Sequence, residues 1–241
     1  MSIPILFEDN HLLVVEKPPG IPSQEDETGD ADMLTLLKQD LKERYNKPGN
    51  VFLGLVHRLD RPVGGAMLFA KTSKAASRLS ESIRSRSFGK TYVCIVQGIP
   101  AVQNATLKHY IRKDNKRNQV TIYNQPAEDA KEAILSYEVA AASGKHALVA
   151  IRLHTGRPHQ IRAQLSHIGF PLVGDLKYGA AKTAGISDIA LWSTSISVEH
   201  PVTKEDLLFT SSPSGSPCWD WWSNDQLARA STLLITPDRK D

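Results

Sequence analysis

Between residues 105 and 153 four segments of strand composition follow one another, at 105–111, 118–123, 132–141 and 146–153, with Gly144 supplying the turn between the last two. Connections this short join antiparallel neighbours, because a parallel pair needs a crossover of a dozen residues or more. Helical periodicity appears elsewhere, and at irregular intervals. The pattern is therefore that of an α+β domain, with a mixed, mainly antiparallel central sheet and flanking helices, rather than a regular βαβ succession.

The rest of the chain fits that frame. Leu6-Phe7 and Leu12-Leu13-Val14-Val15 flank Asp9-Asn10, whose turn chemistry predicts a hairpin, and Pro18-Pro19-Gly20 ends its second strand. Residues 21–30 are polar and acidic and read as a surface loop. Met33, Leu34, Leu36, Leu37 and Leu41 recur at helical spacing, predicting an amphipathic helix over 31–46. A strand over 51–56, a loop over 57–65 and a strand over 66–70 follow. Thr72-Ser73 caps a helix that runs to about Arg86, with Ala75, Leu79 and Ile83 facing the core. Residues 92–96 read as a buried strand, and Pro158 as the first turn of a helix bearing Ile161, Leu165 and Ile168, which Gly169 and Pro171 end. Two more strands are predicted near 189–198 and 206–210.

From Ser211 the composition turns to linker, after which Trp219, Trp221 and Trp222 stand close together. The division expected is a catalytic domain over 1–210 and a linker with a tryptophan-containing tail over 211–241. Those indoles read either as a platform for bases or, more simply, as a terminal segment docked by its large apolar bodies.

Composition narrows the function classes. With 241 residues, 41% hydrophobic and 23% charged, the chain has ample material for a core, and disorder is not expected. No run of eighteen apolar residues and no basic, apolar leader is present, so the reading is a cytoplasmic protein with no membrane partner. Cys94 and Cys218 read as two ordinary reduced thiols. No Cys or His spacing resembles a zinc site, which argues against a zinc-dependent base deaminase; no metal and no cofactor are expected. The formal charge of +3 says little, but its distribution says more. Lys71, Lys74, Arg78, Arg84, Arg86 and Lys90 accompany one acid, Glu81, and Arg112, Lys113, Lys116 and Arg117 accompany Asp114 alone. Positive charge concentrated in this way suits a polyanion, and equally a solvated face.

The chemistry-bearing residues fall into two clusters about a hundred residues apart. His57-Arg58-Leu59-Asp60 follows the apolar run 51–56, and Thr155-Gly156-Arg157-Pro158-His159-Gln160-Ile161-Arg162 lies downstream. A carboxylate at the end of a buried strand is costly unless a cation or hydrogen bonds hold it, and arginines are available in both clusters. Taken singly, Asp60 reads as a turn or ion-pair residue, Tyr92 as core, Arg162 as a salt-bridge partner, and His57 and His159 as structural histidines.

Taken together, and with Lys17-Pro18-Pro19-Gly20, Lys90-Thr91-Tyr92-Val93 and Gly174-Asp175-Leu176-Lys177-Tyr178-Gly179, they resemble the RluA-type pseudouridine synthases, which isomerise uridine within RNA. The resemblance covers about Leu6 to Phe209. It implies the pseudouridine synthase catalytic fold with a catalytic cleft, Asp60 as the essential carboxylate, Tyr92 beside the target base and Arg162 paired with Asp60. It also implies RNA contacts from Arg58, near the space left by a flipped nucleotide. His57, Arg61, Lys71, Lys74, Arg78, Lys90, Arg157, His159 and Lys177 are the further candidates for RNA binding. The expected substrate is a stem-loop of ribosomal or transfer RNA, since the base must leave its stack, and the expected state is a monomer. Whether Asp60 attacks the sugar or removes one of its protons stays open.

The chain departs from that family in places. Arg61-Pro62-Val63-Gly64-Gly65 stands where most members read x-Thr-Ser-Gly, and Leu191-Trp192-Ser193 where many have Leu-His-Ala. The core strands begin near residue 5, so a separate RNA-binding domain ahead of them is not expected. Two other readings remain: a non-catalytic RNA-binding module on the same fold, and a glycoside or nucleoside hydrolase, for which Asp175 is the candidate second carboxylate.

Overall fold

A computed structural model describes residues 3–235, which divide into two units. The first comprises the chain to Phe88 together with Ser195–Ser211, and the second comprises Gly89–Thr194 and the residues from Ser212 onward.

In the first unit β1 (Ile5–Glu8) and β2 (Leu12–Lys17) form the expected hairpin. Its turn is closed by Asp9, whose Oδ1 accepts the N–H groups of His11 at 2.7 Å and Leu12 at 2.6 Å. β2 pairs antiparallel with β4 (Gly64–Ala70), Val15 opposite Met67 and Lys17 opposite Gly65. Leu12 to Val15 are all buried, so both faces of β2 are covered, and the continuous apolar run, without alternation, reflects that. Helix α1 (Met33–Arg44) starts at the Asp32 cap, whose side chain accepts Thr35 N–H. Helix α2 (Ser73–Arg84) starts where expected, with Thr72 Oγ1 accepting Ala75 N–H, and lays Ala75 and Leu79 on a core of Leu12, Val14, Leu68, Ile196 and Phe209.

The strand expected over 51–56 shrinks to β3 (Gly54–Leu55), which pairs only with the end of β4. At Gly54 a Cβ would come within 3.1 Å of Ala76 on α2, and Phe52 projects to solvent. A larger residue at this close approach would have to push Ala76 aside by a few tenths of an ångström.

The second unit is an antiparallel array in the order β5-β9-β8-β6-β7: β5 is Gly89–Gln97, β6 Asn104–Asp114, β7 Gln119–Tyr123, β8 Lys131–Ser143 and β9 His146–Leu153. Every pairing among these five is antiparallel, as the short connections required. Gly144 turns β8 into β9 at φ +58°, and a register shift between Val139 and Ala141 bends β8. β10 (Leu191–Glu199) begins in this unit and continues into the first, where β11 (Asp206–Thr210) pairs with its end. Trp219 and Trp222 are buried with Val93, Ile95, Leu148 and Trp192, so these two indoles are core; Trp221, 37% exposed, lies against His146. The short helix α4 (Asn224–Thr232) closes this face with a Ser223–Gln226 capping box.

Helix α3 (Gln160–His167) begins two residues later than Pro158 predicts. The Gln160 side chain is the reason: its Oε1 accepts Thr155 Oγ1–H at 2.8 Å and Arg157 N–H at 3.0 Å, closing residues 155–160 into a turn. His159 then enters the helix in the left-handed region at φ +50°. The Arg157 amide is thereby spent on the Gln160 side chain, and the Gln160 amide on the Arg157 carbonyl.

Candidate active site

In the first unit, the His57–Val63 loop lies on a bed made by residues 17–23. Ser23 Oγ donates to the Leu59 carbonyl at 2.7 Å and accepts its N–H at 3.1 Å. Gly20 N–H donates to the Arg61 carbonyl at 2.8 Å, and Lys17 Nζ donates to the same carbonyl at 3.1 Å and to Pro18 O at 2.9 Å. Arg61 returns the contact through Nε to Gly20 O, while its Nη2 meets Asp30 at 2.6 Å. Asp60 is half-buried, between buried Leu59 and the exposed Arg61, and its own carbonyl closes a turn by accepting Val63 N–H. Both residues flanking Asp60 are thus fixed through their backbones, which sets where the Asp60 main chain stands. The Pro-Val-Gly-Gly run that replaces hydroxyl residues here keeps a hydrogen-bonded turn by main-chain contacts alone.

His57 is buried and its Nε2 accepts Leu68 N–H at 2.9 Å, so that nitrogen carries no proton. Its ring lies 5.4 Å from Phe88. This histidine anchors the start of the loop to β4; Arg58, next along, is exposed.

Lys17 is 0% exposed. Burial drives its pKa down to about 7, the Asp60 charge opposing that fall and Arg61 adding to it.

In the second unit, Tyr92 sits in β5 opposite Ile151, and Lys90, two residues earlier, shares its face of the strand. Burial lowers the Lys90 pKa, and Gly156 leaves room for its ammonium: a Cβ there would stand 3.2 Å from Nζ. Arg162, on α3, is 4% exposed and holds Asp175, 1% exposed, by two parallel hydrogen bonds, Nε to Oδ2 at 2.7 Å and Nη2 to Oδ1 at 2.9 Å. The Tyr178 ring lies 5.1 Å from the guanidinium carbon, and its hydroxyl bonds His159 Nδ1 at 2.7 Å and accepts Val120 N–H at 3.0 Å. Gly174 is required just before Asp175: at φ +80° a Cβ would stand 2.0 Å from the Asp188 carbonyl oxygen. The Gly-Asp-Leu-Lys-Tyr-Gly segment is therefore the platform that aligns Arg162 and His159.

The remaining candidates are placed as follows. Arg157 Nε donates to Glu132 O at 2.8 Å, and Lys177 Nζ to Asn118 O at 3.0 Å. Lys71 is largely spent on Glu8, 2.6 Å away, and Arg78 Nη1 on the Pro201 carbonyl; Lys74 is exposed. Of these three basic residues, Lys71 and Arg78 therefore both have partners within the protein. The structure adds Ser23 to the residues the sequence suggested, and gives two motif residues a place: Ser23 and Lys17 lie beneath the Asp60 loop, and Asp175 beneath Arg162. The signals were a lysine ending an apolar strand before Pro-Pro-Gly, and an acid flanked by two glycines.

The model of the family described as RNA pseudouridylate synthase matches residues 11–167. Ribosomal large subunit pseudouridine synthase C of Buchnera aphidicola subsp. Baizongia pistaciae is 32% identical over 214 residues, 86% of this chain and 65% of that protein. A Bacillus subtilis (strain 168) protein named uncharacterized RNA pseudouridine synthase YhcT is 32% identical over 207 residues, 85% of this chain and 66% of its own length. The chain thus spans slightly under two thirds of these curated relatives. Among solved structures, human RNA pseudouridylate synthase domain containing 4 superposes with a TM-score of 0.74 at 23% identity, covering 94% of this chain and 92% of that one. That likeness shows the fold.

Proposed function

Because the chain belongs to the RNA pseudouridylate synthase family, and within it to the RluA type, we propose that it isomerises uridine to pseudouridine in structured RNA. The observation that carries this reading is the span of the family match, residues 11–167, which contains Asp60, Tyr92 and Arg162. In the reaction the bond from ribose C1′ to uracil N1 breaks, the uracil turns, and C5 bonds to C1′; C5 loses a proton and N1 gains one. No redox equivalent enters.

The residues suit those steps. Asp60 supplies an anionic oxygen to the sugar, from a loop whose backbone is held on both sides of it. Arg162, whose Nε and Nη2 are held by Asp175, is the cation that the family resemblance assigns to keep the catalytic carboxylate ionised. Tyr92 gives the uracil a ring face, with its hydroxyl available to the ring proton. Arg58, Arg61, Lys74, Arg78, Lys90, Arg157, His159, Lys177, Lys71 and His57 are the candidates to contact the extruded nucleotide or its neighbouring phosphates. The substrate is a stem-loop of ribosomal or transfer RNA, with large-subunit ribosomal RNA favoured by the name of the Buchnera relative. The enzyme acts as a monomer in the cytoplasm, without metal or cofactor.

Chemical mapping of pseudouridine in total RNA from a strain lacking this protein tests the proposal. Sites should vanish, and return with the wild-type gene but not with Asp60→Asn. Unchanged maps would overturn it, and release of free uracil by the purified protein would favour a hydrolase instead.

A further inference from the structure

Lys17 is a residue to which the functional reading assigns nothing. It ends β2, is wholly enclosed, and spends its ammonium on two backbone carbonyls, Pro18 O and Arg61 O. The second is the carbonyl of the residue that follows Asp60, and it also receives Gly20 N–H. An apolar side chain of the same length would fill this site at no desolvation cost, so the ammonium is retained there against a penalty. A fully buried lysine whose hydrogen bonds all go to one loop and its bed sets that loop's position.

We propose that Lys17 is a positioning residue for Asp60: its ammonium pins the loop through the Arg61 carbonyl and stands as a positive charge behind the carboxylate, so the set of the loop follows the charge on Lys17. The inference rests on Asp60 being the catalytic carboxylate. The charged groups that act on Lys17 are few. Asp60 favours the ammonium and Arg61 opposes it, whereas Glu16 on the same strand accepts Ser211 Oγ–H and Gly65 faces Lys17 from β4. With its proton titrating near 7, Lys17 is charged at mildly acidic pH and neutral at alkaline pH in the RNA-free protein. A neutral amine still donates hydrogen bonds, but more weakly, and gives Asp60 no charge. Bound RNA, a polyanion, holds that proton to higher pH, so the alkaline fall should appear earlier in kcat/KM than in kcat.

The test combines NMR and kinetics on the full chain. In wild type, the amide resonances of Gly20 and Val63, hydrogen-bonded to Arg61 O and Asp60 O, should titrate together with a midpoint near 7 in the absence of RNA. In Lys17→Met that titration should vanish. Its single-turnover rate at mildly acidic pH should fall by roughly tenfold or more, with RNA affinity within about threefold of wild type. Lys17→Arg, whose guanidinium keeps its proton, should show no alkaline fall. Wild-type amides that stay flat from about pH 6 to 9 would overturn the proposal, even if no variant folded. A Lys17→Met protein that loses rate equally at every pH while the amides still titrate would also overturn it, since that describes packing alone. If wild type makes no pseudouridine in any RNA, the proposed function falls, and the amide titration still decides whether Lys17 governs the loop.

Discussion

Arg162 and Asp175 form a buried, two-bonded pair, 2.7 and 2.9 Å, in which the carboxylate comes from the turn after α3 and the guanidinium from within it. Neither charge reaches solvent, so each depends on the other. Removing Asp175 by substitution with Ala should cost about 3–5 kcal/mol of stability, because a buried guanidinium loses the partner of both these hydrogen bonds. Asp175→Asn, which keeps the shape and part of the hydrogen bonding, should cost less. Urea unfolding of both variants measures the difference, and an Asp175→Ala protein as stable as wild type would show that the pair is dispensable.

Gly174 should tolerate no side chain. Its φ of +80° and the 2.0 Å approach of a Cβ to the Asp188 carbonyl mean that Gly174→Ala must displace backbone. A loss of about 1–3 kcal/mol is expected, read as a lower midpoint in thermal unfolding. Gly144→Ala, at φ +58° but with open space around the Cβ position, should cost less.

The tip of the β6–β7 hairpin carries Arg112, Lys113, Lys116 and Arg117, all exposed. The Asp114 side chain is tied into the turn through its Oδ1 to the Lys116 and Arg117 amides, and Arg112 stacks on Tyr123 at 5.1 Å. If this tip touches RNA phosphates, Lys113→Ala with Lys116→Ala should reduce the slope of log K against log salt by about 1.4, from roughly 0.7 per phosphate on a single strand. Titration of a stem-loop at several salt concentrations checks this, and an unchanged slope would place the tip away from RNA.

Stability should rise with pH across neutrality. Unfolded, Lys17 keeps its proton to about the ordinary 10.5; folded, it loses it near 7, so between the two the unfolded chain binds more protons. The destabilisation caused by burying the ammonium is complete below 7 and relieved above it. Urea midpoints for wild type should increase from about pH 6 to 7.5, below the midpoint of about 8.5 at which thiols of the unfolded chain ionise. Lys17→Met should reduce that rise, leaving the contribution of Lys90, whose pKa burial also lowers.

The order of elements was legible in the sequence wherever local chemistry decided it. Asp9 and Gly144 announce their turns, Thr72 and Asp32 cap their helices, and the clustered tryptophans are large enough to dictate burial of two of them. What was not legible depended on side-chain contacts that no composition or periodicity announces. The apolar run 51–56 resembles a strand, but only two of its residues pair, and Gly54 meets α2. Pro158 suits a helix start, yet the Gln160 side chain closes a turn first. The motifs single out Asp60, Tyr92 and Arg162 as candidates, but say nothing of what holds the loop and helix that carry Asp60 and Arg162. Asp175 looked like a loop residue between glycines until it was found under Arg162, and Lys17 like the end of a strand until its bonds to the Asp60 loop were seen.

The most direct test is single-turnover conversion of one uridine in a ribosomal RNA stem-loop by purified wild type and Asp60→Asn, with binding of the same RNA measured in parallel. The account predicts pseudouridine from wild type, a loss of at least roughly 10³-fold in rate for the variant, and affinity within a few-fold of wild type. Pseudouridine formed by Asp60→Asn at the wild-type rate would contradict it.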